Sequence, residues 1–294
     1  MKTSGIFRLH RYKIKLPKST DEFYIVPFGD IHFLAKGHCS SAWQKFEKWM
    51  KKTPNAFALG MGDYSDFSSA TDRAIITKTT RDSTREIIDE MCRESTAQIA
   101  QSLSWLQEPT EYAPNGRLIG LLGGNHNMLL MDGIDTDMLL AQMLHTEYLG
   151  VMVLIRVSIE ASGGHCCSFD MLAHHGQGAA RLVGGSLNRV QQMAESWDAD
   201  IYLMGHDHKM PTGHTNRLSC VHNSKTCALE LKERRVDFVR TGGFQRAFVD
   251  GASNHIVDKA GGALVLGTPK IRFVAGRVSV DGKRVMQLDR EVIV

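Results

Sequence analysis

The chain has 294 residues, 43% of them hydrophobic and 23% charged, with a formal net charge of +3. That is the composition of an ordinary soluble globular protein, long enough for one large domain or two small ones. Six cysteines without a C-x-x-C pair argue against a disulfide framework and for reduced thiols. No apolar run is long enough to span a bilayer or to serve as an export signal. The expectation is therefore a cytoplasmic protein with no membrane partner, and a charge this close to balance neither demands nor excludes nucleic acid.

Phe7, Leu9, Tyr12, Ile14 and Leu16 alternate raggedly and predict a strand over residues 6–16. Phe23 to Phe28 predicts a second, with Pro27 an awkward member. Ser40 to Lys52 carries Trp43, Phe46, Trp49 and Met50 at helical spacing. Ala56 to Met61 then reads as a strand, which completes a β-α-β unit. Residues 67–116 differ in character and predict a mainly helical insert, with a helix from about Thr84 to Leu106. Packing, an oligomer contact or a lid over a site would each explain it.

Leu118 to Leu122 reads as a buried strand, followed by a helix from Thr136 to about Leu149. Val151–Ile159 and Cys166–Ala173 read as a hairpin. A helix over Ser186–Ser196 and a strand over Asp200–Met204 follow, and from about residue 210 short strands predominate. No repeat or linker interrupts the chain, so one α/β domain over residues 1–294 is expected.

Five short blocks stand just after these apolar runs: Asp30-Ile31-His32, Gly62-Asp63, Gly124-Asn125-His126, His174-His175 and Gly205-His206-Asp207-His208. Asp30 and His32, two apart, would share one face of a straight strand. A carboxylate such as Asp63 can bridge two cations. Asn125 offers an amide oxygen, and His174, His206 and His208 offer imidazoles. Mixed carboxylate and imidazole donors suit manganese, iron, zinc or nickel better than calcium or magnesium.

In their order these blocks resemble the pattern D-x-H, G-D, G-N-H-[D/E], H, G-H-x-H of the calcineurin-like metallophosphoesterase superfamily, across residues 29–208. The resemblance implies a four-layer α/β/β/α sandwich of two mixed sheets with the metal site at the strand ends. It implies two divalent transition metal ions, Mn²⁺ first among them. Asp30, His32 and His208 would hold one ion, Asn125, His174 and His206 the other, with Asp63 bridging. His126 would be the non-ligand catalytic histidine facing the leaving group.

Two departures narrow the match. Asn127 follows His126 where the family has Asp or Glu, which bears on how His126 is oriented. The block Gly62-Asp63-Tyr64-Ser65-Asp66 lacks the D-R-G run of Ser/Thr protein phosphatases and carries Asp66 where purple acid phosphatases place a tyrosine ligand. What remains includes phosphodiesterases and nucleases related to the double-strand-break repair exonuclease. The stretches Arg240–Arg246 and Leu266–Pro269 resemble the tail of phage and prophage metallophosphoesterases. His174 and His175 compete for one ligand place, since alternation turns them opposite ways, and the family pattern favours His174.

Lys209 to Arg246 is basic, which reads either as a phosphate-backbone groove or as a solvated sheet face. The function expected is metal-dependent phosphodiester hydrolysis with nucleic acid as substrate. A small-molecule phosphodiesterase or phosphomonoesterase is the alternative, and a non-catalytic metal-bearing module of a phage complex the third reading.

Overall fold

The computed structural model describes residues 7–18, 20–67, 70–162, 165–178, 180–222, 228–250, 264–280 and 283–294. Two mixed β-sheets organise them. The first contains β1 (Phe7–Leu16), β5 (Met152–Ala161), β6 (His165–His174), β7 (Ile201–Met204), β8 (Thr212–His222) and β9 (Leu229–Arg240), in the order β1-β5-β6-β7-β9-β8. The second contains β2 (Glu22–Phe28), β3 (Ala56–Gly60), β4 (Leu118–Leu121), β10 (Lys270–Val280) and β11 (Lys283–Ile293), in the order β11-β10-β2-β3-β4. β2, β3 and β4 run parallel, as a β-α-β crossover requires, while β10 is antiparallel to both neighbours.

The largest core draws side chains from both sheets. On β5, Val153, Ile155, Val157 and Ile159 are buried at alternate positions and join Phe23, Phe57 and Phe273 of the second sheet. Phe169 of β6 stacks on Phe273 of β10, ring centroids 4.6 Å apart. Each such side chain contributes about 1.5–3 kcal/mol when fully buried.

The other face of the second sheet packs Phe28 and Leu121 against Trp43 and Phe46 of α1 (Ser40–Lys52), Ile99 and Leu103 of α3 (Asp82–Leu103) and Leu140 of α4 (Thr136–Met143). The other face of the first sheet packs Leu172, Tyr202 and Phe238 against Val190 of α5 (Val183–Gln192). No helix among the described residues is long and apolar enough to cross a membrane. The described cysteines are free thiols, and Cys227 lies outside the described residues.

The helix predicted over Ser40–Lys52 forms with those bounds. Others shift for local reasons. Residues 67–116 hold α2 (Ala70–Thr79) besides α3, and α3 passes into a 3-10 turn over Ser104–Gln107. The helix expected to reach Leu149 stops at Met143. His145 turns the chain at φ 47°, and residues 147–149 then run beside β4, whose Leu121 bonds to Glu147 and Leu149.

Pro27 is accommodated inside a central strand. The main-chain bonds of Tyr24 and Phe28 go to the β3 side, so position 27 faces the other neighbour, and pairing with β10 ends at Ile25.

Candidate metal centre

The straight-strand picture of Asp30 and His32 is corrected by the structure. Both lie beyond the end of β2, in left-handed backbone at φ 48° and 46°. Asp63, His206 and His208 share that conformation, at φ 52°, 76° and 55°. An ordinary side chain pays about 1–2 kcal/mol there, and Asp, Asn and His are the types that occupy it most readily. The loops brace one another. The Asp30 N–H donates to the Gly62 carbonyl, and the Ile31 and His32 N–H groups donate to the Asp63 carbonyl. A Cβ at Gly124 would stand 2.1 Å from Asp63 Oδ1, so only glycine lets these two loops approach.

Two clusters result. In the first, His208 Nε2 lies 3.3 Å from Asp30 Oδ1 and 3.3 Å from His32 Nε2. In the second, Asn125 Oδ1 lies 2.9 Å from His175 Nε2 and 2.7 Å from His206 Nδ1, and Asp63 Oδ2 lies 3.2 Å from His175 Nε2. The same Asp63 Oδ2 is 4.0 Å from His32 Nε2, which places it between the clusters. Its other oxygen, Oδ1, accepts the N–H groups of Asn125 and His126 and is thereby fixed.

These residues fit a cation. Asp30, His32, Asp63, His175 and His208 are all at most 3% exposed. Apart from the His208 imidazole at 3.3 Å, Asp30 Oδ1 meets no hydrogen-bond donor among the described residues, and two imidazole nitrogens face each other across 3.3 Å. Convergent lone pairs deprived of water are costly unless something positive lies among them. The donors are nitrogen and oxygen only, a set suited to borderline transition metals.

The buried carboxylates favour positive charge within the clusters. Burial opposes the Asp63 carboxylate, yet His175, His32 and His126 hold its pKa well below the ordinary value. Burial likewise opposes a charge on His175, but Asp63 and Asp30 push its pKa up to about 9. Burial lowers His206 to about 4, so its lone pair is available at neutral pH.

The expected ligand His174 lies outside both clusters. It ends β6, and its Nδ1 accepts the Gly176 N–H at 2.7 Å. His175 occupies the place instead, with Nδ1 on the Met61 carbonyl at 2.7 Å, so that Nε2 points at Asn125 and Asp63. Strand parity carried the signal. Phe169, Met171 and Ala173 face the second sheet, and the next residue of that set is 175.

His126 stands beside the clusters with its ring 4.8 Å from that of His32. Its Nδ1 lies 2.6 Å from Asp66 Oδ1. That contact with His126, and a second with His32, holds the Asp66 carboxyl well below the ordinary range. Burial opposes the His126 charge, but Asp66 and Asp63 raise its pKa. The Asn127 amide donates to the Gly124 carbonyl and to Asp137.

Asp137 and the Asp207–Arg240 pair are supports that sequence reasoning missed. Asp137 accepts the Gly124 N–H at 2.8 Å, and burial together with Asp135 pushes its pKa up to about 7. Asp207, between the two histidines of its block, takes Arg240 Nε at 2.9 Å and the Ser186 hydroxyl at 2.5 Å. Arg240 is 1% exposed. Other cations of the basic segment also meet local partners. Arg217 and Arg234 pair with Asp198, Arg235 pairs with Asp237, and Lys209 donates to the Ala180 and Arg181 carbonyls. Lys225 lies outside the described residues.

No protein-family model matches this chain, and no curated protein matches it.

Proposed function

We propose that the two clusters are halves of one dinuclear metal site, and that the protein is a metal-dependent phosphodiesterase of the calcineurin-like type, built on a four-layer α/β/β/α sandwich. The observation that carries this reading is the position of Asp63 Oδ2, between His32 of one buried cluster and His175 of the other. Asp30, His32 and His208 would hold one ion and Asn125, His175 and His206 the second, with Asp63 shared. His175 thus replaces His174 in the ligand set. Two such ions, Mn²⁺ being the first to test, would supply Lewis acidity toward a phosphoryl oxygen and a nucleophile from water at neutral pH.

The chain's own groups provide the rest. Asp66 occupies Nδ1 of His126, which leaves Nε2 to carry a proton toward the leaving oxygen. The raised pKa of His126 favours that protonated form near neutrality. Asp137 and the Asp207–Arg240 pair hold the loops that carry Asn125, His126, His206 and His208.

With Mn²⁺ the purified protein should hydrolyse bis(p-nitrophenyl) phosphate, and Asp63→Asn should abolish the reaction. An unchanged rate in that variant would overturn the mechanism. A nucleic-acid strand is the substrate first expected. One observation favours a small-molecule phosphodiester instead: Arg217, Arg234, Arg235 and Arg240 of the 209–246 segment are paired with local carboxylates. Cleavage of labelled DNA and RNA compared with cyclic and dinucleotide substrates separates the two.

A further inference from the structure

A cavity of about 420 Å³ opens beside the first turns of α1, and none of the clustered ligands lines it. Its size falls within the range of ordinary small-molecule sites, about 300–1,000 Å³. The inner wall is apolar and aromatic, with Phe46, Trp49 and Leu266. Lys45, Arg246 and Lys270 also line it, as does Val294, and among the described residues no Asp or Glu side chain does. Unlike the arginines of the β8–β9 region, these three cations form no ion pair with a described residue. The Lys270 ammonium lies over the Trp49 ring, 4.6 Å from its centroid, and Arg246 Nε donates to Cys39 Sγ at 3.3 Å.

We propose that this cavity is a second binding site, for an organic phosphate with a planar ring, such as a nucleoside monophosphate. The three cations match the charge of a phosphate group. The indole and its apolar neighbours match a base, which stacks on aromatic side chains whatever its identity and here would displace the Lys270 ammonium from the ring toward the phosphate. The ligand is either a free nucleotide or the phosphorylated end of a strand, since both present the same chemistry.

The cavity also adjoins the candidate centre through one strap of chain. Phe244 donates its N–H to the Asp30 carbonyl at 2.9 Å and accepts the Cys39 N–H at 2.7 Å, and the Arg246 N–H bonds to Gly37. A ligand held by Arg246 and Lys45 therefore sits on the far side of the segment that backs Asp30.

The test is tryptophan fluorescence on the chelator-treated protein and on Asp63→Asn, so that it does not depend on phosphoesterase activity or on metal. Adenosine 5′-monophosphate should quench saturably, inorganic phosphate should compete, and adenosine should bind far more weakly. Lys45→Ala combined with Lys270→Ala should weaken binding by about tenfold or more, with thermal melting as the check that the variant folds. Trp49→Phe should remove most of the quench. A short oligonucleotide with and without a 5′-phosphate tells a strand end from a free nucleotide. No saturable signal at millimolar nucleotide and oligonucleotide, binding unaltered by the double lysine substitution, or full quench in Trp49→Phe would each overturn the proposal.

Discussion

His126 and Asp66 are 60 residues apart in the chain, yet Nδ1 of one lies 2.6 Å from a carboxylate oxygen of the other. The carboxylate that steadies the histidine comes from the loop after β3 and not from the position following His126. Asp66→Asn should therefore lower kcat on bis(p-nitrophenyl) phosphate by about 10–100-fold, a fraction of what a positioned acid typically contributes. Metal content, read by elemental analysis, should not change. A loss of metal in that variant would show that Asp66 acts on the ligands through His32 instead.

The two adjacent histidines after Ala173 have separable fates. His175→Ala should lose at least one equivalent of bound Mn²⁺ and nearly all activity, because its Nε2 faces both Asn125 and Asp63. His174→Ala should retain its metal, since its Nδ1 is engaged with the Gly176 N–H. Titration calorimetry on both variants decides between them, and the reverse pattern would restore His174 as the ligand.

Asp207 and Arg240 form a buried ion pair. Removing one partner of such a pair costs about 3–5 kcal/mol, because the other charge stays buried alone. Arg240→Met should lower the urea midpoint accordingly, and adding Asp207→Leu should recover part of the loss. If the double variant regains stability but not metal affinity, the pair's contribution lies in aiming His206 and His208.

Asp137 supplies a pH signature. Burial raises its pKa in the folded chain to about 7 from an ordinary 3.8. The folded state thus holds this proton more tightly than the unfolded state does. The stability it contributes is complete below about pH 4 and is lost as pH rises through about 7. Asp137→Asn should leave a flatter stability curve between pH 5 and pH 8, measured by urea unfolding in chelator. A slope identical to that of the parent chain would assign the titration to another group.

Much of this arrangement was legible in the residues. Apolar periodicity located α1, the β5–β6 hairpin and the strands that precede each block, because buried faces must repeat with the geometry of their element. The polar stretch before α3 concealed α2, which lacks a strongly apolar face. The end of α4 was hidden because the Leu121 edge claims residues 147–149, a tertiary demand that no local pattern carries. At the candidate centre the donor types were visible and the backbone was not. Left-handed turns at Asp30 and His32 replaced the assumed strand, and parity along β6 turned His175 inward. Asp66 and Asp137 acquire roles only through folding, since their partners lie 60 and 13 residues away.

The left-handed backbone at Asp30, His32, Asp63, His206 and His208 restricts what can replace them. A substitute must offer a lone pair to the cluster and must also tolerate positive φ. Glutamate and cysteine meet the first demand but are not favoured by the second, while glycine meets only the second. Aspartate, asparagine and histidine satisfy both. A donor from outside that set therefore meets a main-chain cost of about 1–2 kcal/mol at each of these five positions before any question of coordination arises. Exchange among those three residue types, or a change at Asn125 or His175, which lie outside the left-handed region, escapes it.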